Sequence, residues 1–309
     1  MRKEKMLGTL ATLAMIGMVS AAIGGKTANA DVVDPGYKKL VSAQKKAGIT
    51  NLEENKEYSF DLDEDGNAEK VSFVVTSKTE YDATVTLNVN DKEVFKKEYD
   101  ESTVFNCVGV QVLDINKKDG KKDIYIYENT FSEDITWGSL YTYKDGKLSK
   151  TWKGNGLSEI GKKQKKNYYP GSGIIMSTDG KGKFDVVVDR AVFCDRITGN
   201  HHDIITYKMK NNKVSLVSKN AVKFFLTYGS DMKGNFKTAK KLKGYTKNSK
   251  KSKRITIAKG TKCTAIMTNV TKNGKVSVQY KTKKGKKFWL FVNDFKEDEK
   301  VFKKLYFAD

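Results

Sequence analysis

Apolar and polar residues alternate along most of the chain after residue 50. This period of two is typical of β-strands that bury one face. The alternation is clearest in six segments, at 84–90, 122–128, 137–143, 184–189, 203–209 and 213–218. Residues 34–50 predict one short helix instead, with Pro35 in its first turn and Gly48 at its end. The pattern therefore predicts a mostly β protein.

Tight turns separate several of the predicted strands. The segment Lys144–Lys147, with Asp145 and Gly146 at its centre, and the pair Asn211–Asn212 are typical of β-hairpins. Asn, Asp and Gly tolerate the positive φ that such turns require. We therefore expect the strands on either side of these turns to pair.

A second kind of turn recurs before three strands. The segments are FDLDEDGNAEKVSFVV at 60–75, LDINKKDGKKDIYIYE at 113–128 and MSTDGKGKFDVVV at 176–188. Asp and Asn hydrogen-bond their own backbone in turns, and carboxylates two residues apart can point their oxygens at one centre. One unit is thus repeated, and its natural ligand is a hard cation, calcium above all.

These segments resemble the FG-GAP/VCBS repeat, whose pattern is roughly D-x-[DN]-x-D-G-x-x-[DE] before a strand. The family forms blades of extracellular β-propellers, and the resemblance covers about 58–220. Three clear units and a degenerate fourth at 195–203 lie in this range, whereas closed propellers usually need at least about four blades. We therefore expect an incomplete propeller-like array or a sandwich-like module built from the same hairpins.

The three loops differ in how well they match a calcium site. The first offers Asp61, Asp63, Asp65, Asn67 through its carbonyl, and Glu69. The second offers Asp114, Asn116, Asp119 and Asp123, but an extra lysine interrupts the pattern and four lysines surround it. The third places Ser177 and Lys181 where ligands would stand, so we expect no metal there. The alternative is that all three are hydrogen-bonded turns without an ion.

Positive charge is concentrated at one end of the chain. The net charge is +21, and residues 231–309 hold 23 Lys and Arg against 6 Asp and Glu, a net charge of +17. Residues 1–30 carry +3, which leaves +1 for 31–230. The sequence therefore predicts a nearly neutral module joined to a strongly basic one. Such asymmetry bears on partners more than on fold.

The first thirty residues are typical of a secretory signal. A basic start, MRKEK, precedes a long apolar run and an A-x-A cleavage site at Ala28–Ala30. A membrane anchor is the competing interpretation, but glycines interrupt the apolar run. We therefore expect residues 1–30 to be a signal peptide and the mature chain to be secreted or cell-wall associated, without stable membrane insertion.

Three cysteines, Cys107, Cys194 and Cys263, are widely spaced in the sequence. Their odd number and spacing exclude a disulfide framework or a cysteine zinc site. Cys107 and Cys194 could pair, or all three could be small buried apolar residues.

Residues 253–309 predict a small barrel after a basic, solvated connector at 231–252. Short apolar strands at 254–258, 262–270, 275–281 and 286–292 are separated by glycine turns. Lys259-Gly260-Thr261 and the element from Gly285 to Trp289 resemble a bacterial Src-homology-three (SH3) domain, over about 243–295. That resemblance implies attachment of a secreted protein to cell-wall peptides or glycans, although the family's usual N-terminal signature is missing.

Two sets of residues are candidates for ligand binding. Trp137 and Tyr141, with Tyr125 and Tyr127 on a neighbouring predicted strand, would form a platform for sugar rings, unless they pack in a core. The basic run Lys250, Lys251, Lys253 and Arg254 suits an anionic cell-wall polymer or polysaccharide, unless it only keeps the surface soluble. Export favours such a partner over intracellular nucleic acid.

Catalysis has weaker support in the sequence. His201 and His202 stand beside Asp203, but no serine lies in a nucleophile-elbow context. Paired carboxylates leave an exported hydrolase of cell-wall or host glycan as the alternative. We therefore expect a non-enzymatic binding protein, supported by calcium and held at an anionic surface.

Overall fold

The structure is a computed structural model that describes most of the chain after residue 34. The described residues are 35–77, 83–99, 105–130, 136–154, 173–190, 197–199, 201–218, 221–227, 235–270, 275–296, 299–303 and 305. The predicted signal peptide at 1–30 lies outside them, as do Cys194 and the side chains of Cys107 and Trp137.

Strands make up most of the described chain, which confirms the prediction of a mostly β protein. The predicted helix, α1, spans Pro35–Lys46. The first strands are β1 (Thr50–Asn51), β2 (Glu57–Phe60), β3 (Glu69–Ser77), β4 (Ala83–Val89), β5 (Lys92–Tyr99), β6 (Phe105–Leu113), β7 (Asp123–Thr130), β8 (Thr136–Lys144) and β9 (Lys147–Gly154). The later strands are β10 (Ile174–Thr178), β11 (Lys183–Arg190), β12 (His201–Lys210), β13 (Lys213–Leu216), β14 (Ala221–Thr227), β15 (Asn235–Lys237), β16 (Leu242–Tyr245), β17 (Arg254–Ile257), β18 (Lys262–Val270), β19 (Val276–Thr282) and β20 (Lys287–Phe291). A short 3₁₀ turn, Val292–Asp294, follows β20.

The strands form antiparallel sheets of four, five and eleven strands. The first has the order β2-β3-β4-β5, and the second has the order β1-β6-β7-β8-β9. The third runs β10-β11-β12-β14-β18-β19-β20-β16-β17, with β13 also on β12 and β15 also on β18. Most neighbours in these sheets are consecutive in the chain, as a series of hairpins requires.

Both predicted hairpins are confirmed. Strands β8 and β9 pair across Asp145–Gly146, and β12 and β13 pair across Asn211–Asn212. Every one of these four turn residues has a positive φ, between 51° and 75°. This conformation matches the right-handed twist of the strands, which explains the choice of Asn, Asp and Gly.

The five-stranded sheet is buried on both faces. Ile124 and Ile126 of β7 pack toward the four-stranded sheet, in a cluster with Phe73 and Leu87. Tyr125 and Tyr127 of the same strand pack toward β10–β12, in a second cluster that also includes Leu40 of α1. Because side chains alternate along a strand, one segment supplies both cores.

The C-terminal strands continue the third sheet and do not form a closed barrel of their own. Strand β14 pairs with β12 on one side and with β18 on the other, and β15 occupies the far end of the same β18 edge. Among the described pairings, β17 contacts only β16, so the sheet stays open there. A separate apolar cluster, which includes Leu242, Tyr280 and Phe288, covers this region.

The predicted solvated connector is only partly correct. Strands β15 and β16 both fall within 231–252, and Phe236, Leu242 and Tyr245 are buried there. Lysines surround these residues, but Phe236 and Leu242 turn inward and pack in the C-terminal cluster, and Tyr245 packs against Phe291. Because lysines dominate this segment, its sequence did not indicate the two short strands.

Cys263 is a free, buried cysteine in the C-terminal cluster. Burial raises the pKa of its thiol to about 12. This environment agrees with the predicted role of a small apolar residue.

No helix in the described part of the chain is long and apolar enough to cross a membrane.

We predict that Gly138→Ala destabilises the protein by about 1–3 kcal/mol through overpacking. A Cβ at Gly138 would lie 1.7 Å from the Tyr125 hydroxyl, and Gly138 does not have a positive φ. The cost would thus measure packing rather than backbone strain. Urea unfolding gives the free energy, with Ser149→Ala on the exposed side of β9 as the control. A Gly138→Ala variant as stable as that control would contradict the described core.

Candidate metal-binding and anion-binding sites

The three recurring loops lie side by side in the structure. We call 61–69, 114–123 and 177–185 the first, second and third loops. The Lys122 amide and its Nζ donate to the carbonyl oxygens of Leu62 and Asp61, both at 2.8 Å, and join the first two loops. The Gly182 amide donates to the Ile115 carbonyl at 2.8 Å and joins the second loop to the third. Repeats along the sequence are therefore neighbours in space.

The first loop brings three carboxylates together. One potential ligand oxygen from each of Asp61, Asp63 and Asp65 lies within 4.8 Å of the others. The turn itself holds them there, since the Gly66 amide donates to Asp61 Oδ2 at 3.2 Å and the Asn67 amide donates to Asp65 Oδ1 at 2.7 Å.

Two oxygens of this group fit a cation. Asp61 Oδ1 and Asp63 Oδ1 are buried and have no hydrogen-bond partner among the described residues. A buried polar atom without a partner is costly. Carboxylate oxygens are also the ligands that a hard cation such as calcium prefers. The donor set of the first loop thus suits the predicted ion.

Glu69 does not join this carboxylate group. Its Oε2 accepts a hydrogen bond from the Leu62 amide at 2.7 Å, and its side chain is buried. The sequence predicts Glu69 as a calcium ligand, but the structure uses it to hold the start of the loop. One oxygen of Glu69 is therefore engaged by the backbone, and the side chain lies outside the group of three aspartates.

The predicted ligands of the second loop do not converge. Asp123 is fully buried, and its carboxylate accepts from the Ile115 amide and from Lys121 Nζ, both at 3.4 Å. Asn116 forms a strand bridge with Lys181 of the third loop. Within the described residues, the only three acidic side chains whose oxygens all lie within 4.8 Å of one another are those of the first loop. Asp119 does not belong to this group.

Asp114 retains one feature of a ligand. Its Oδ1 is buried and has no hydrogen-bond partner in the described structure. Burial, followed by the charges of Glu64 and Asp119, raises the pKa of Asp114. The charge of Glu64 reaches it from the first loop, so the two loops share one electrostatic environment.

The third loop has the hydrogen bonds of a closed turn. Asp179 Oδ1 accepts from the amides of Lys181 and Lys183 at 2.8 and 2.9 Å. Asp185 accepts from the hydroxyls of Thr206 and Ser177. Both carboxylates thus accept hydrogen bonds from the chain. This arrangement is the one expected for the alternative interpretation, a hydrogen-bonded turn without an ion.

The predicted aromatic platform is not formed by its three described tyrosines. Tyr125 and Tyr127 are each 1% exposed, and Tyr141 is 7% exposed. Tyr125 pairs with Leu140, whereas Tyr141 pairs with Ile124, so Tyr125 and Tyr141 lie on opposite faces of the sheet. The prediction is wrong for these residues because both faces are covered by other sheets. The side chain of Trp137 lies outside the described structure.

The histidine pair belongs to a buried contact between β12 and β18. His201 Nε2 lies 3.6 Å from Asp203 Oδ2, and the Thr268 hydroxyl donates to Asp203 Oδ1 at 3.1 Å. His201, Asp203 and Thr268 are each at most 1% exposed. A substrate cannot reach groups buried to this extent, so the contact gives the hydrolase alternative no support.

Two members of the predicted basic run are engaged within the protein. Lys250 forms an ion pair with Asp294 and lies 5.5 Å from the Phe291 ring centre. Arg254 donates to the Tyr245 hydroxyl at 3.2 Å and lies over that ring. Lys251 and Lys253 are exposed. The run is therefore less available to a ligand than its sequence suggests.

A cavity that the sequence did not indicate lies beside β15, β18 and β19. Its lining includes five lysines that are far apart in the chain: Lys237, Lys262, Lys281, Lys283 and Lys303. Lys237, Lys262 and Lys281 lie in strands and Lys283 directly follows β19, but the sequence did not show how these strands pair. Comparison with protein-family models, curated proteins and solved structures finds no match for the chain.

Asp123 generates a prediction for the dependence of stability on pH. Burial raises its pKa from 3.8 to about 6, although Lys121 and the Ile115 amide oppose the shift. The folded state thus keeps a proton that the unfolded chain releases. The stabilisation is complete below about pH 3.8 and is lost as the pH rises through about 6.

We expect the native protein to lose about 2–3 kcal/mol relative to Asp123→Asn between about pH 4 and pH 7, since one pKa unit is worth about 1.4 kcal/mol. Urea unfolding in a metal chelator measures this difference at both pH values. Asp145→Asn, in an exposed hairpin turn, is the control and should show no such change. A pH-independent difference for Asp123→Asn would show that the carboxyl is not buried as described.

Proposed function

We propose that this protein is an exported, non-enzymatic binding protein. In this proposal, a calcium-supported β module of the FG-GAP/VCBS type is tethered by a basic SH3-like region to anionic polymers of a cell wall or glycan. The observation that carries the proposal is the uncompensated positive charge of the C-terminal region. The predicted signal peptide supplies the argument for export.

Acidic residues compensate little of this charge. Within the described part of 235–305, the only carboxylate side chains are Asp294 and Glu299. They form ion pairs with Lys250 and Lys240. Two carboxylates cannot neutralise the many lysines of this region, so its surface has a positive potential. Such a potential concentrates polyanions and accelerates their association.

The arrangement of the first sheets supports a repeat module. The first and second loops lead into β3 and β7, and the third leads into β11, so each loop serves a different sheet. The sheets pack face to face through two apolar clusters. Three such units in a row suit an incomplete propeller-like array better than a two-sheet sandwich, because the middle sheet has a neighbour on each face.

Two features support an SH3-like C-terminal region. Strands β16–β20 are short and antiparallel, and Tyr245 pairs with Trp289 where β16 meets β20. Trp289 is 6% exposed. Trp289, which ends the element that resembles an SH3 domain, is thus a buried structural residue. Binding must then depend on other residues of the region.

We predict that calcium raises the thermal midpoint of the full-length protein. A ligand that binds only the folded state adds about 2.7 kcal/mol at roughly one hundred times its dissociation constant. Asp63→Asn with Asp65→Asn should remove most of this increase, because it removes two of the three clustered charges. In a chelator, the same variant should be at least as stable as the native protein, since like charges no longer repel.

Calorimetric unfolding with and without millimolar calcium measures both effects. The matched control is Asp91→Asn with Asp145→Asn, which removes two charges from exposed hairpin turns. Both positions have the left-handed backbone that Asn tolerates. Absence of a calcium effect on the native protein would reject the site, as would an equal loss of the effect in the control.

We also predict that the full-length protein binds purified Gram-positive-type cell walls and that salt weakens this binding steeply. Lysines facing phosphates or carboxylates release counterions on binding, and this release becomes less favourable as salt rises. Removal of wall teichoic acid should reduce the bound fraction. Co-sedimentation across a salt series measures it, and binding that persists in half-molar salt would refute an electrostatic tether.

A further inference from the structure

The lysine-lined cavity of the C-terminal region has the size of a ligand site. Its volume is about 680 Å³, and ligand pockets commonly span about 300–1,000 Å³. Phe236, Cys263 and Ile266 also line it, and the first two are buried. The cavity therefore combines an apolar wall with a positively charged rim.

Three of its lysines form a row across neighbouring chain segments. Lys237 of β15 lies directly opposite Lys262 of β18. On the other side of β18, the Lys283 amide donates to the Lys262 carbonyl at 3.4 Å, just beyond the paired residues Cys263 and Thr282. Like charges directly opposite each other in a sheet are destabilising. The row is thus an electrostatic cost that a bound anion would offset.

The protein does not offset this cost itself in the described structure. None of the five cavity lysines has an ion pair there. The two carboxylates of the described C-terminal region are already paired with Lys250 and Lys240. The cavity lysines are exposed, as are the basic residues of the run at 250–254, but Lys250 and Arg254 of that run already contact Asp294 and Tyr245.

The spacing of the row limits the ligand. Lys237 and Lys283 flank Lys262 on two different neighbours, so their backbones are two strand spacings, roughly 10 Å, apart. One anionic group cannot contact both ends at once unless the long side chains converge, whereas a chain of anionic groups can contact each lysine in turn. The row therefore favours a linear polyanion.

The basic residues of the cavity are compatible with phosphate groups. All five basic residues of the cavity are lysines, and none is arginine. Arginine forms planar, bidentate contacts with carboxylate and phosphate alike, whereas lysine acts as a point charge and is a common ligand of phosphate. The Thr282 hydroxyl also lines the cavity and adds a neutral donor for a phosphate oxygen, whereas the Thr264 hydroxyl already donates to Asn235 Oδ1 at 2.9 Å.

The lining also argues against nucleic acid. Single-stranded nucleic acids bind by stacking their bases on accessible aromatic side chains. Phe236 is the one aromatic residue among the described lining residues, and it is only 5% exposed. Its ring packs against Tyr280 and Phe302 in the core. A phosphodiester chain without bases fits this lining better.

We infer that the cavity binds a linear, base-free phosphodiester polymer, with Lys237, Lys262 and Lys283 each contacting a phosphate along the chain. This assignment rests on the proposed anion-binding function, and it places recognition at the cavity instead of the run at 250–254. The two sites differ in position on the same region, so charge-matched variants can distinguish them.

The test compares two triple variants of the full-length protein. The cavity variant carries Lys237→Gln, Lys262→Gln and Lys283→Gln. The control variant carries Lys247→Gln, Lys251→Gln and Lys253→Gln, which removes the same charge from exposed residues outside the cavity. Titration calorimetry with synthetic poly(glycerol phosphate) at low salt gives the affinity, and thermal unfolding shows whether each variant is folded.

The cavity variant should lose at least about tenfold in affinity, since even one charged hydrogen bond is worth about that factor. The control should lose much less. The cavity variant should also unfold at the same or a higher temperature than the native protein without ligand, because the opposed charges are gone. Polymer should raise the midpoint of the native protein and of the control, but not of the cavity variant.

Equal losses in both variants would overturn the cavity assignment and leave the proposed electrostatic function standing. Equally tight binding of polyglutamate of the same charge would overturn the preference for phosphate. Tighter binding of single-stranded DNA with the same number of phosphates would overturn the base-free assignment. If the native protein bound none of these three polymers at low salt, the proposed function would be rejected, and the cavity assignment with it.

Discussion

Burial of the five-stranded sheet on both faces is the constraint on which the rest of the first module depends. A sheet covered on one side could leave Tyr125 and Tyr127 in solvent, but here they fill the space toward β10–β12. The close packing also explains Gly109 and Gly138, since a Cβ at either position would overlap a tyrosine ring or hydroxyl. The three loops are then held in a row because each one leads into a strand of a packed sheet. The arrangement of the three carboxylates in the first loop is thus supported by an apolar core.

Features that depend on neighbouring residues were predictable from the sequence. The hairpins at Asp145–Gly146 and Asn211–Asn212 carry their own backbone preference, and the spacing of Asp61, Asp63 and Asp65 places their oxygens together within one turn. The orientation of Glu69 was not predictable, because its carboxylate accepts a hydrogen bond from the Leu62 amide, a contact that the spacing of the acidic residues does not indicate. The burial of Tyr141 was not predictable either, since alternation gives two faces but not what covers each of them.

The lysine cavity shows the same limit for charge. In the sequence, the run at 250–254 has four basic residues in five positions, but other segments, such as 283–287, are equally dense. In the structure, part of the run at 250–254 packs on Phe291 and Tyr245, whereas Lys237, Lys262 and Lys283 meet only through strand pairing. These lysines are far apart in the chain, so the sequence does not show that they are neighbours. The register of β15, β18 and β19 brings them together. Local charge density is therefore a poor measure of where an anion would bind.

Strand β14 joins the strands near the third loop to the strands around the lysine cavity in one sheet. It pairs with β12, which adjoins the strand after the third loop, and with β18, which lines the cavity. The buried contact among His201, Asp203 and Thr268 lies at the same junction and satisfies polar atoms from both strands. A flexible linker would let the first sheets rotate freely relative to the C-terminal strands, but a shared sheet does not allow this rotation without breaking hydrogen bonds. Attachment of the basic region to a polymer would therefore fix the orientation of the loops relative to that polymer.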